Sequence, residues 1–233
     1  MGRSRRRAVL QPPCRPPCPV SDTASDVPLA SGPTSGTTLS GRAAAMRMRL
    51  MQAGAELLGE VGIERISTNQ VASRAGVTPP VFYRHFKDKY DLLAALGSTL
   101  MEAQNDILYE WLERSAPAGF EELMGAHYQF LLSTIQATAE MPGAVWIMRA
   151  LRAVPSLTAV RLASHEMVTD RICRAMGPLL PEMDPAELRL RTRIAVDAGY
   201  AAVEMALDDP SMSPESVCRA LTQMWLGGLR HGV

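Results

Sequence analysis

Lysine is nearly absent from this chain. Among 233 residues only Lys87 and Lys89 are lysines, and the remaining formal positive charge is carried by arginine. GC-rich codon usage produces the same bias, so the scarcity alone excludes nothing. Both lysines nevertheless fall inside one twelve-residue stretch, Thr78–Lys89. Cysteine is scarce as well. Cys14, Cys18, Cys173 and Cys218 are scattered, which excludes a disulfide framework and leaves Cys14 and Cys18 without the second ligand pair that a zinc site requires. A reducing cytoplasm is the expected compartment. No apolar run approaches the roughly 18 residues that cross a bilayer. Arg5-Arg6-Arg7 begins like a twin-arginine export signal, but Gln11-Pro12-Pro13 cuts the apolar stretch short. There is no Gly-x-Gly-x-x-Gly, phosphate loop or nucleophile elbow, and His165-Glu166 lacks the second histidine of a zinc-protease helix. These absences argue against an enzyme, and no cofactor or metal is expected.

Net charge is zero, yet it is unevenly distributed. Residues 1–45 carry +4, residues 46–91 carry +2, and the remainder carries −6. A basic front and an acidic back imply that only the front approaches a polyanion. Residues 1–41 are rich in Pro, Ser, Thr, Gly and Arg and cannot bury enough apolar surface to offset their ordering entropy. They are expected to be disordered, as a basic arm that touches DNA or as an extension upstream of a start at Met46.

From Arg42 onward the apolar spacing is helical and no alternating strand pattern occurs. Leu50, Ala53, Leu57, Leu58 and Val61 mark one face of a first helix that Gly62 should end. Ser67-Thr68-Asn69-Gln70 has capping-box spacing and opens a short second helix to about Ala75. Gly76-Val77 makes a turn. Thr78 should cap a third helix with Pro79 in its first turn, where a missing N–H costs nothing. Asp88 should cap a long helix to about Arg114. Prolines and glycines then divide the rest into helices near 118–139, 143–152, 156–180, 185–208 and 214–230. The expected class is all-α with about nine helices.

A helix-turn-helix needs a small residue where two helices cross, a glycine in the turn, and apolar anchors on the second helix. Ala72, Gly76, Val77 and Phe82 have that spacing. Such units place the second helix in the major groove of DNA. The run Ser67–Thr78, followed by Phe82-Tyr83-Arg84-His85-Phe86-Lys87-Asp88-Lys89 and Leu92-Leu93, resembles the DNA-binding domain of the tetracycline-repressor (TetR) family over about residues 44–93. The resemblance implies a three-helix DNA-binding domain at 42–91 and a helical effector-binding and dimerisation domain at 92–233. It also implies backbone clamping by Thr68, Thr78, Tyr83, His85 and Lys89, and base reading at Asn69, Pro79, Pro80 and Val81. The chemistry agrees: Tyr83 can offer its hydroxyl to a phosphate, His85 and Lys89 can meet its charge, and free N–H groups near Thr68 and Asp88–Lys89 suit phosphate oxygens. Pro79-Pro80 departs from the family pattern, in which one position is more often small or polar. Direct readout then rests on thymine methyls, on Asn69, or on Arg84, and shape readout gains weight.

For the acidic back half the family precedent implies two uses of apolar surface. A dimer face is expected on the last two helices, from Ala195, Gly199, Ala202, Val203 and Ala206 together with Val217, Leu221, Met224, Trp225 and Leu229. An effector pocket is expected from Met101, Leu108, Trp111, His127, Phe130, Trp146, Met167 and Tyr200, methionine being suited to adaptable apolar walls. Pairing of half-sites on duplex DNA independently favours a homodimer. The expected function is a ligand-responsive repressor released from a palindromic operator by a small, mostly apolar effector. An activator of the same fold and a helical protein-binding adaptor are the alternatives.

Overall fold

Local signals in the chain become helix ends in three dimensions. The computed structural model describes residues 41–230, and the extension 1–40 with its two cysteines lies outside the described residues. Nine α-helices and two short 3-10 turns make up the described residues, which contain no strand. The helices are α1 (Gly41–Arg65), α2 (Thr68–Arg74), α3 (Pro79–Tyr83), α4 (Lys89–Ser115), α5 (Phe120–Glu140), α6 (Ala144–Ala153), α7 (Pro155–Met176), α8 (Pro185–Asp208) and α9 (Pro214–Arg230).

The caps explain these boundaries. Ser67 and Gln70 form the reciprocal capping box at the start of α2: Gln70 N donates to Ser67 Oγ at 3.3 Å, and Ser67 N donates to Gln70 Oε1 at 2.9 Å. Asp88 Oδ1 accepts from the N–H groups of Tyr90 and Asp91 at 2.8 and 2.9 Å and starts α4. Asp184 performs the same task for α8. Three expectations need correction. Gly62 breaks α1 rather than ending it, and helical turns resume to Arg65. Thr78 precedes α3 but its side chain makes no cap bond. Helix α7 stops at Met176, and Gly177–Leu179 tightens into a 3-10 turn beside Pro178, whose ring removes a backbone donor.

Two apolar clusters lie end to end along α4. The first collects Leu50, Leu57 and Leu58 of α1, Val71 and Ala72 of α2, Phe82 of α3, Phe86 after it, and Leu92, Leu93, Leu96 and Leu100 of α4, and then continues into Ile147 and Leu151 of α6. The second surrounds Leu108, Trp111, Leu123, Val168, Ile172, Val196 and Trp225. The expected domain boundary at 91/92 falls within the first turn of α4, so one helix serves both clusters.

Helix α6 docks on α1 through a close backbone approach. Gly143, at φ +70°, immediately precedes α6, and a Cβ placed on it would sit 2.4 Å from the carbonyl oxygen of Ala55. Only glycine meets both demands, positive φ and no side chain. Gly143→Ala is therefore expected to lower the unfolding free energy by about 2 kcal/mol or more, read as a shift in urea midpoint at unchanged slope.

Candidate nucleic-acid interface and an apolar cavity

A five-residue helix has no stability of its own, so α3 exists because one face of it is buried. Phe82 and the nearby Phe86 are fully enclosed, with ring centroids 5.6 Å apart. Ala72 is fully buried where α2 meets α3. The turn between them is closed by Gly76 N–H to Ser73 O and Val77 N–H to Ala72 O, both at 2.9 Å, with Gly76 at φ +65°. The opposite face is left to solvent: Thr78, Pro79, Pro80, Tyr83 and Arg84 are exposed, and Val81 and His85 are half-buried.

Tyr83 is 55% exposed, its ring standing edge-on to Phe82. Its hydroxyl lies 2.9 Å from Thr68 Oγ1 at the start of α2, and exposed Asn69 follows directly. The α2 start and the α3 face therefore present one polar rim. Lys89 Nζ donates to the carbonyl of Ile63 at 3.3 Å, which ties the start of α4 to the last turn of α1 and holds the ammonium near that rim. Arg74 is engaged differently. It forms ion pairs with Glu60 at 2.7 Å and Glu56 at 3.5 Å on α1. The Arg74 hydrogen bond holds the exposed Glu60 carboxyl below the usual range. Arg47 went unnoticed in sequence. Its Nη1 donates to the His85 carbonyl at 2.9 Å while its guanidinium lies 4.2 Å over the Phe86 ring, so it pins the segment between α3 and α4. Nothing local marks this residue, because its partner lies 38 positions away.

A cavity of about 70 Å³ lies between α4, α5, α7, α8 and α9. Of the eight residues expected to form a pocket, Leu108, Trp111, His127, Phe130 and Tyr200 line it. Met101, Trp146 and Met167 lie elsewhere. Met101 is buried in the first cluster, Trp146 packs over Gly62 beneath Arg149, and Met167 is largely exposed beside Tyr109. The residues expected at a dimer face are mostly turned inward. Ala195, Gly199, Val203, Leu221 and Trp225 line the cavity, Ala202, Val217 and Leu229 are core, and Ala206 packs against the first cluster. Met224 alone of the ten is strongly exposed, at 73%. The apolar stripe of α8 that does face solvent is Leu190, Ile194 and Met205.

Aromatic rings form one end of the cavity. Trp111 stacks on Phe130 with centroids 4.7 Å apart, and His127 lies 4.6 Å from the ring of Trp225. His127 Nδ1 meets Thr222 Oγ1 at 2.9 Å, and burial drives its pKa down to about 3. A second buried imidazole, His165, stacks on Tyr200 and bonds Asp197 at 2.6 Å. Burial lowers its pKa and outweighs the opposing pull of Asp197.

Known proteins resemble this chain in its helix-turn-helix segment and in its overall fold. Residues 50–96 match the family model for bacterial regulatory proteins of the tetR family. The matched stretch takes in most of α1, all of α2 and α3, and the start of α4, which is the helix-turn-helix region. The chain is 40% identical over 55 residues to the class C tetracycline repressor protein of Escherichia coli. That match covers 24% of this chain and 25% of the repressor, so the curated relative is matched over about a quarter of its length. Among solved structures, a SmeT–triclosan complex superposes with a TM-score of 0.63 at 20% identity, covering 81% of this chain and 93% of that one. The Thermus thermophilus FadR complex with lauroyl-CoA gives 0.56 at 18% identity, covering 80% and 96%. These structural likenesses extend the TetR fold across α4–α9.

The buried imidazoles of this chain make its stability pH-dependent. His127 takes up a proton near pH 6.5 when unfolded but only near 3 when folded. Below the unfolded value the unfolded state therefore binds more protons, and stability falls as pH falls. Going from about pH 7.5 to about pH 5 is expected to cost about 2 kcal/mol through His127. His127→Gln should remove that share of the slope in urea titrations at the two pH values.

Proposed function

We propose that this TetR-family regulator is a homodimeric, ligand-responsive repressor that binds a palindromic operator through residues 42–91 and an effector through residues 92–233. The observation that carries the DNA side is the polar rim around α3. Thr68, Thr78, Tyr83, His85 and Lys89 border the exposed face of Pro79, Pro80, Val81 and Arg84, with Asn69 alongside. In this reading the rim holds phosphates and α3 enters the major groove. Two prolines and a valine offer base edges no hydrogen-bonding side chain, so thymine methyls and groove shape carry much of the selectivity.

The effector side rests on the cavity. It lies against α4, whose first turn carries Lys89. A ligand that fits one position of α4 better than the other shifts the population of dimers whose recognition helices stand at operator spacing. The structural neighbours bound to triclosan and to lauroyl-CoA support a small-molecule effector. Dimerisation is assigned to the solvent-facing stripe Leu190, Ile194 and Met205 of α8 with Met224 of α9, in place of the inward-facing residues expected from periodicity.

Two experiments test this reading. Lys89→Ala should weaken binding to duplex DNA of any sequence and reduce the salt slope by about one ion. An unchanged slope in fluorescence anisotropy at several salt concentrations removes Lys89 from the contacts. Ile194→Asp should convert the dimer to a monomer in sedimentation equilibrium. A variant that stays dimeric places the interface elsewhere.

A further inference from the structure

The cavity wall carries no ionisable acid or base of the ordinary kind. Seventeen residues line it, and none is Asp, Glu, Lys or Arg, in a chain where those types make up 21% of the residues. The two titratable side chains in the wall are His127 and Tyr200. Burial keeps the His127 imidazole neutral and raises the pKa of the Tyr200 phenol, so both are uncharged near neutrality. An ion entering this space loses its hydration and meets no counter-charge.

Two wall residues each keep a buried polar atom without a partner: Gln104 Oε1 and Trp225 Nε1. The network around Gln104 determines which of its atoms is left over. The Thr138 hydroxyl donates its proton to Thr134 O at 2.6 Å, so toward Gln104 it can only accept. Gln104 must therefore turn its amide N–H₂ to Thr138, at 2.9 Å, and leave its carbonyl oxygen bare. An indole N–H only donates. The wall thus lacks one donor, for Gln104, and one acceptor, for Trp225. A buried polar group left unpaired carries an uncompensated desolvation cost, which a suitable ligand recovers. The stacked Trp111–Phe130 pair and the Trp225 ring suit a flat apolar body.

We infer that the cavity selects an uncharged hydroxy-aromatic compound, whose ring packs against Trp111, Phe130 and Trp225 and whose hydroxyl chemistry supplies a donor to Gln104 Oε1 and an acceptor to Trp225 N–H. This rests on the assignment of the cavity as the effector site and narrows it by excluding carboxylates and ammonium ions. At about 70 Å³ the space is smaller than the roughly 150 Å³ cavity that admits benzene. Full enclosure of a ring therefore requires the surrounding helices to move apart, which is the differential fit that a population shift requires.

The test titrates the full-length protein with p-cresol, toluene, 4-methylbenzoate and 4-methylbenzylammonium, followed by calorimetry and by tryptophan fluorescence. Trp111 and Trp225 stand in the wall and report occupancy; Trp146 lies outside it. Neutral p-cresol is expected to bind about tenfold or more tightly than the other three. Gln104→Leu and Trp225→Phe should each weaken p-cresol by about tenfold while leaving toluene within about threefold. Tighter binding of either ion overturns the inference, as does p-cresol binding that both variants leave unchanged, or its failure to bind. If Gln104→Leu does not fold, Trp225→Phe and the ligand series on the unaltered protein decide the matter. Release of bound duplex DNA is scored separately. Binding of p-cresol with both variant effects but without DNA release upholds the ligand class and refutes the effector role.

Discussion

Burial of Phe82 and Phe86 is the contact on which the rest depends. A helix as short as α3 forms only because those rings bury one of its faces, and that burial fixes which face remains outside. The turn at Gly76, the cap at Ser67 and the Arg47 bond to the His85 carbonyl all serve to hold the rings in place. Once they are seated, Thr68, Tyr83 and Lys89 have little freedom, and the polar rim follows. Its chemistry is that of a surface for phosphate oxygens: hydroxyls, an ammonium and helix N-termini surrounding an apolar ridge.

The same packing continues into the second half of the chain without an interruption at α4. Gly143 rests on the backbone of Ala55, Trp146 covers Gly62, and Leu151 packs against Gly97. Helix α6 is thus wedged against both α1 and α4. Close-packed contacts of this kind resist gradual deformation and favour discrete rearrangements. In the proposed function, that is the physical basis on which occupancy of a cavity lined by α4 reaches the turn that carries Lys89.

Much of this was legible in the residue order, and the misses share one cause. Capping boxes, Asp caps, proline starts and glycine turns act over a few residues, so Ser67, Gln70, Gly76 and Asp88 could be read directly. The faces of α8 and α9 show the limit. Their periodicity correctly marks apolar stripes, but Val203, Leu221 and Trp225 meet an internal cavity, whereas Leu190 and Ile194 meet solvent. Spacing along one helix identifies a face and says nothing about what the face touches. Met101, Trp146 and Met167 fall outside the cavity for the same reason, since residue type suits pocket, core and surface equally well.

The order of residues by itself determined the helical class, most helix ends, the turn at Gly76 and the likeness of residues 50–96 to tetR-family proteins, because each depends on short-range geometry or on a contiguous motif. The fold alone decided that the cavity wall is uncharged, that Gln104 and Trp225 carry unmatched polar atoms, and that Arg47 secures a segment 38 residues distant. Those properties arise where five helices or two remote segments converge, and such convergence is set by the packing of whole faces rather than by any local pattern.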